Sequence, residues 1–237
     1  MQNRSVAQEN RSGSGPVSRS ESTTRLRAAR RHPPNVRGMR ILLIGATGRL
    51  GKVLHTTLAG RGHEIVTASR TAGDIRCDIT DPAQVAEMYD RAGPLDAVAV
   101  AAGKVPYGRV VDLTADDYLA GFRGKVLGQI EVVRQGASRI AERGSFTLIS
   151  GVLGRDPVVT ASVAAMANGA LEAFVRAAAL ELAPRRVNIV SPTVFTECAD
   201  EFGDLFAGME PVDLARVANA YVHSIEGAHT GRVYELG

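Results

Sequence analysis

The chain has 237 residues, 45% apolar and 22% charged, the balance of one soluble globular domain with a sizeable core. Its formal charge of +3 is carried by residues 1–38, which hold eight arginines against Glu9 and Glu21; the remainder has 20 basic and 23 acidic residues, a net of −3. The folded part therefore shows no bias toward nucleic acid or an anionic membrane, and no stretch approaches the roughly 18 uninterrupted apolar residues of a membrane span.

Residues 1–38, rich in Ser, Arg, Gly and Pro and almost without apolar periodicity, read as a disordered basic extension. Met39 stands immediately before the first strand and reads as the natural start of translation, with the domain running over 39–237. From there strands and helices alternate. MRILLIGA is a strand and TGRLGKVLHTTLAGRG a helix; EIVTAS and IRCDI are strands, and DPAQVAEMYDRA is a helix with Pro in its first turn. LDAVAVAAG is a fully apolar strand. Helices over about 115–142 and 161–183 bracket the strand SFTLIS, and RVNIVS and RVYEL are strands on either side of a helix near 211–225. Apolar strands alternating with helices imply an α/β, Rossmann-type doubly wound parallel sheet with helices on both faces. Only two cysteines, Cys77 and Cys198, occur and they are far apart, so a disulfide framework or metal site is not expected and a cytoplasmic setting is.

GATGRLG sets Gly45, Gly48 and Gly51 between the first strand and its helix, with Thr47, Arg49 and Leu50 among them. A pyrophosphate needs this arrangement: a tight turn, close backbone approach, and helix N–H groups aimed at the anion. The second strand ends in Ser69, Arg70 and Thr71 rather than in an acid, with Asp74 only later. An acid would hold a bare ribose. Arg70 instead suits a 2′-phosphate, with Ser69 and Thr71 adding hydroxyls and Arg49 within reach of the same group, so the expected cofactor is NADP(H).

Taken together these motifs resemble the short-chain dehydrogenase/reductase family over nearly all of 39–237. By that resemblance Asp78 and Ile79 in CDITD meet the adenine, Ala101, Ala102 and Gly103 stand where the family has NAG, and Pro192, Thr193 and Val194 border the nicotinamide. The resemblance implies carbonyl/alcohol hydride transfer on a small molecule and a homodimer or homotetramer, which the small residues Ala164, Ala165, Ala167, Gly169 and Ala170 would help to pack. The family's active-site serine, tyrosine and lysine fall on Gly151, Ala164 and Asn168, and none keeps its functional group. Lysine on helix four with asparagine at the lysine position is a swap that resembles polyketide-synthase ketoreductases, so Lys125 and Asn168 become catalytic candidates. Ser150 and Tyr107, at the carboxyl edge of the sheet, are candidates to fill the remaining roles, with Lys104, Thr160 and Ser162 nearby. A divergent subgroup of the family keeps the glycine motif without the usual catalytic residues. A binding protein without catalysis (a sensor or partner subunit), and a non-redox lyase or isomerase, are the alternatives.

Overall fold

The computed structural model describes residues 38–237; the extension expected over 1–38 lies, Gly38 apart, outside the described residues. The strands are β1 (Arg40–Ile44), β2 (Glu64–Ser69), β3 (Ile75–Arg76), β4 (Leu95–Val100), β5 (Ile140–Ile149), β6 (Arg186–Pro192) and β7 (Val233–Leu236). All pair in parallel, in the order β3-β2-β1-β4-β5-β6-β7. The chain builds outward from β1 to β3, then returns to β1's other side as β4. This reversal opens a crevice at the carboxyl ends of β1 and β4, where ligands bind in such sheets.

Alternation along the strands divides the core. Leu42, Ile44, Val98, Val100, Phe146 and Leu148 face a layer made by α2 (Pro82–Ala92), α4 (Gly128–Gly136) and α5 (Ser162–Glu181). Ile41, Leu43, Ala97 and Ala99 face α1 (Arg49–Gly60) and α6 (Leu214–Glu226). Helix α5 is long and apolar enough to cross a membrane, but Val163, Ala167, Leu171 and Val175 bury one side of it within the domain. Ala164 and Ala167, expected to serve self-association, are buried inside the chain, which leaves only Ala165, Gly169 and Ala170 partly open.

Two expectations need correction. The helix expected over 115–142 is α3 (Ala115–Gly121), capped by a reciprocal Thr114–Asp117 box, then a π-helical turn over Phe122–Leu127, then α4 ending at Gly136. Residues from Ile140 onward already belong to β5, despite the helix formers Ala141, Glu142 and Arg143, because Ile140 pairs with Leu95 before a register shift brings Ser145 opposite Ala97. The strand expected over IRCDI keeps only Ile75–Arg76.

Candidate functional site

The glycine turn is built for close approach. Gly45 has φ +87°, and a Cβ there would sit 2.5 Å from the Ala101 carbonyl oxygen; a Cβ on Gly51 would lie 2.1 Å from Gly45 O. These two glycines seat α1 against the strand ends. Gly48 differs, since its added Cβ would meet only Gly45 O, at 3.4 Å, so packing does not demand glycine there. Gly48 caps α1 with no side-chain hydrogen bond and no acid in the first turn. The helix N-terminus thus keeps its donors for an anion.

Two cavities meet at this turn. The smaller, about 310 Å³, is lined by Thr47, Ser69, Arg70, Thr71, Asp78, Ile79 and Lys104 among others. The larger, about 410 Å³, holds Lys125, Asn168, Tyr107, Ala164, Pro192, Thr193 and Val194, beneath Phe195, Phe202 and Phe206. Gly48 and Ala101–Gly103 line both, so the pair reads as one groove over the crevice. The buried Thr193 Oγ1 has no hydrogen-bond partner among the described residues. With the bare helix N-terminus and the room at Gly48, this orphaned hydroxyl fits an extended phosphate-bearing dinucleotide.

At the far end, Lys125 sits in the π-helical turn, a widening that recurs at functional sites. Its stem crosses Gly103, where a Cβ would lie 2.8 Å from Lys125 Cγ. The Lys125 ammonium donates to Asn168 Oδ1 at 2.6 Å and to the Ser150 carbonyl at 3.0 Å. Burial pulls its pKa down to about 8, while the nearby Glu172 carboxylate opposes the fall. Asn168 is buried, its carboxamide lying close to Gly151, where a Cβ would be 3.2 Å from Nδ2. Ala164, expected at the family's tyrosine position, belongs to an apolar cluster with Val152, Leu153 and Ala161.

Several expected roles change. Ser150 does not offer its hydroxyl to the cavity: Oγ donates to Glu172 Oε1 at 2.8 Å, and the residue serves the site through its carbonyl. Ser69 Oγ donates to Ala72 O at 2.5 Å and accepts from Ala72 N, so its proton is committed to the turn. Arg49 does not join Arg70; its guanidinium donates to Cys198 Sγ at 2.9 Å and pairs with Glu201, over the larger cavity. Thr160 is not an N-cap, for α5 begins after Ala161 without a side-chain cap. Tyr107 lies at the cavity rim, 45% exposed, and partial burial pushes its phenol pKa up, making it a poorer acid. Arg70 and Thr71 stay exposed on the smaller cavity, Asp74 is held away from it by Thr67, and Asp78 is the acid in its lining.

Residues 45–218 match the protein family described as enoyl-(acyl carrier protein) reductase. A short-chain dehydrogenase/reductase from Stachybotrys chlorohalonatus, ATR9, is 30% identical over 83% of this chain and 94% of its own. The chain belongs to the short-chain dehydrogenase/reductase family. Versicolorin reductase stcU of Emericella nidulans is also 30% identical, over 64% of this chain and 67% of its own. Among solved structures, protein lin1944 from Listeria innocua superposes with a TM-score of 0.81 at 39% identity, covering 84% of this chain and 99% of its own. A small-chain dehydrogenase in complex with NADPH gives 0.73 at 28% identity, covering 84% and 96%.

Within this family frame, a buried carboxylate escaped the sequence reading. Glu172 Oε1 accepts from Ser150 Oγ and, at 2.7 Å, from Ser191 Oγ, and Arg155 donates to Ser191 Oγ at 2.6 Å. Its signal was an acid one turn beyond Asn168 on the same helix face, amid alanines. The Arg49 link to the 196–206 segment gave no such signal.

Proposed function

We propose that the protein is an NADP(H)-dependent oxidoreductase that reduces a small carbonyl compound, or oxidises the matching alcohol, at a rearranged active site. The observation that carries this reading is the continuous groove with basic residues at one end and the Lys125–Asn168 pair at the other. Arg70, Thr71 and Lys104 suit a 2′-phosphate, and no acid at the end of β2 lines that cavity. The α1 N-terminus takes the pyrophosphate. Asp78 and Ile79 border the adenine, and Ala101, Pro192, Thr193 and Val194 the nicotinamide. When bound, the cofactor supplies or accepts a hydride. The residues of this chain hold it, and Phe195, Phe202 and Phe206 keep the reacting end apolar and low in water. A cavity near 410 Å³ takes a small or medium substrate. The names of the versicolorin and trihydroxynaphthalene reductases among its relatives make hydroxylated aromatic ketones the first compounds to try. Leu127 at the end of the π-helical turn and Met166 on α5, both exposed, support pairing as a homodimer or homotetramer.

The test is titration of the purified chain with NADPH and NADH, followed by stopped-flow oxidation against a panel of ketones. Micromolar NADPH binding with ketone-dependent consumption is expected. The Ala164 position gives the second reading its force: binding without consumption by any carbonyl would mark a nucleotide-binding protein that does not transfer hydride.

A further inference from the structure

We propose that Lys125 replaces the absent tyrosine as proton donor, its Nζ delivering a proton to the oxygen of a carbonyl compound bound in the larger cavity. The inference rests on the oxidoreductase reading above and names the acid which that reading leaves open.

Three features of the geometry support it. The π-helical turn and the bare Gly103 carry the lysine stem to the groove, so that the residue lines the larger cavity. Both acceptors of Nζ are neutral, the Asn168 side-chain oxygen and the Ser150 carbonyl. An ammonium has three protons, so two bonds leave one for a substrate oxygen; a neutral amine retains two N–H groups and can keep both bonds after that proton departs. Giving up the proton therefore costs no internal hydrogen bond. Finally, among the described residues Glu172 is the carboxylate acting on Lys125, its Oε1 accepts from the hydroxyls of Ser150 and Ser191, and it forms no salt bridge with Nζ.

The other titratable groups around the cavity are Tyr107 on the loop after β4, Arg49 on α1, and Cys198 and Glu201 on the covering segment. Arg49 is bonded to the last two, and Tyr107 is a weakened acid. Burial brings the lysine near neutrality, with a pKa of about 8, where a general acid works best. In the reducing direction the carbonyl carbon gains a hydride from the reduced nicotinamide, and the C=O π pair moves onto oxygen. The oxygen takes a proton from Nζ. The products are the alcohol, the oxidised nicotinamide and a neutral lysine, which regains its proton from water.

The chain contains three lysines, Lys52, Lys104 and Lys125, so ¹³Cε-lysine NMR of the full-length protein resolves each one, with Lys125→Met fixing the assignment. The expected result is a Lys125 midpoint near 8. For ketone reduction by wild type, kcat should fall above the same midpoint. Lys125→Arg keeps the cation but cannot release its proton; it should bind NADPH while turning over roughly 10²–10⁴-fold more slowly. A Lys125 midpoint above about 10 overturns the proposal, and where Lys125→Met does not fold, Lys52→Arg and Lys104→Arg assign the resonance by elimination. An active wild type whose Lys125→Arg variant retains turnover within tenfold overturns the acid assignment alone. NADPH binding with no reduction by wild type overturns the oxidoreductase reading and this assignment together.

Discussion

Substituting Arg70 by alanine should separate the two nicotinamide cofactors. Arg70 is exposed at the end of β2, lines the smaller cavity beside Thr71 and Lys104, and forms no ion pair with any described residue. Nothing therefore has to be broken for its guanidinium to meet a 2′-phosphate. A charge-assisted hydrogen bond contributes about 1.5–3 kcal/mol. Exposure and screening place this one at the lower end, about 1.5 kcal/mol, which corresponds to roughly tenfold in Kd. Arg70→Ala should thus weaken NADPH binding about tenfold and NADH binding less than twofold. Raising ionic strength should weaken NADPH binding by wild type more than NADH binding, and the difference should shrink in the variant. Fluorescence titration with both cofactors reads all of these constants. Equal losses for NADPH and NADH, or a wild type that binds both alike, would refute the assignment of Arg70 to the phosphate.

Gly51→Ala drives a Cβ to 2.1 Å from Gly45 O and 2.8 Å from Ala46 Cα, both backbone atoms that cannot rotate aside. Overpacking of this kind costs about 1–3 kcal/mol, a fall in Tm of about 2–12 °C for a domain of this size; an unchanged Tm would mean that α1 is seated otherwise. Lys125→Met tests burial of the charge through pH-dependent stability. The folded pKa is depressed from 10.5 to about 8, so between those values the unfolded chain holds a proton that the folded chain has lost. Wild type therefore gains stability as pH rises through that window. The Tm of Lys125→Met minus that of wild type should accordingly fall between pH 8 and pH 10, and a constant difference would contradict the depressed pKa.

The sheet was legible because its information is local. RILLI and LDAVAV are apolar enough to be buried on both faces, and GATGRLG announces its own turn. The Lys125–Asn168 bond was half legible. Its two residues fall on positions that matter in the family, yet they lie 43 residues apart and meet only because β5 and α5 bring them together. The π-helical turn was not legible. It depends on neighbours remote in sequence: Gly121, before it, is so close to Val163 that a Cβ would come within 2.2 Å of Cγ1, and Gly128, after it, presses on Ile79. Arg49 lies beyond local pattern for the same reason, since its partners Cys198 and Glu201 are 149 and 152 residues away. Local pattern gave it a phosphate, and tertiary structure gives it an acidic cover.

The four departures from the family pattern form one physical unit. An ammonium at 125 that bonds to position 168 at 2.6 Å forbids a second cation there, because like charges at that range in a partly dry site repel strongly. Asparagine, neutral and oxygen-bearing, is the replacement that turns repulsion into a hydrogen bond. Its other end then lies close to position 151, where a Cβ would make a tight 3.2 Å contact with Nδ2 that glycine avoids. Ala164 completes the set by setting an apolar methyl in the lining of the cavity that the lysine shares, and burial is what lowers the lysine's pKa. An active site decaying without constraint would lose its groups independently. Here each loss fits the position of a single lysine carried in from the neighbouring helix, which is why titrating that lysine separates a relocated acid from an abandoned site.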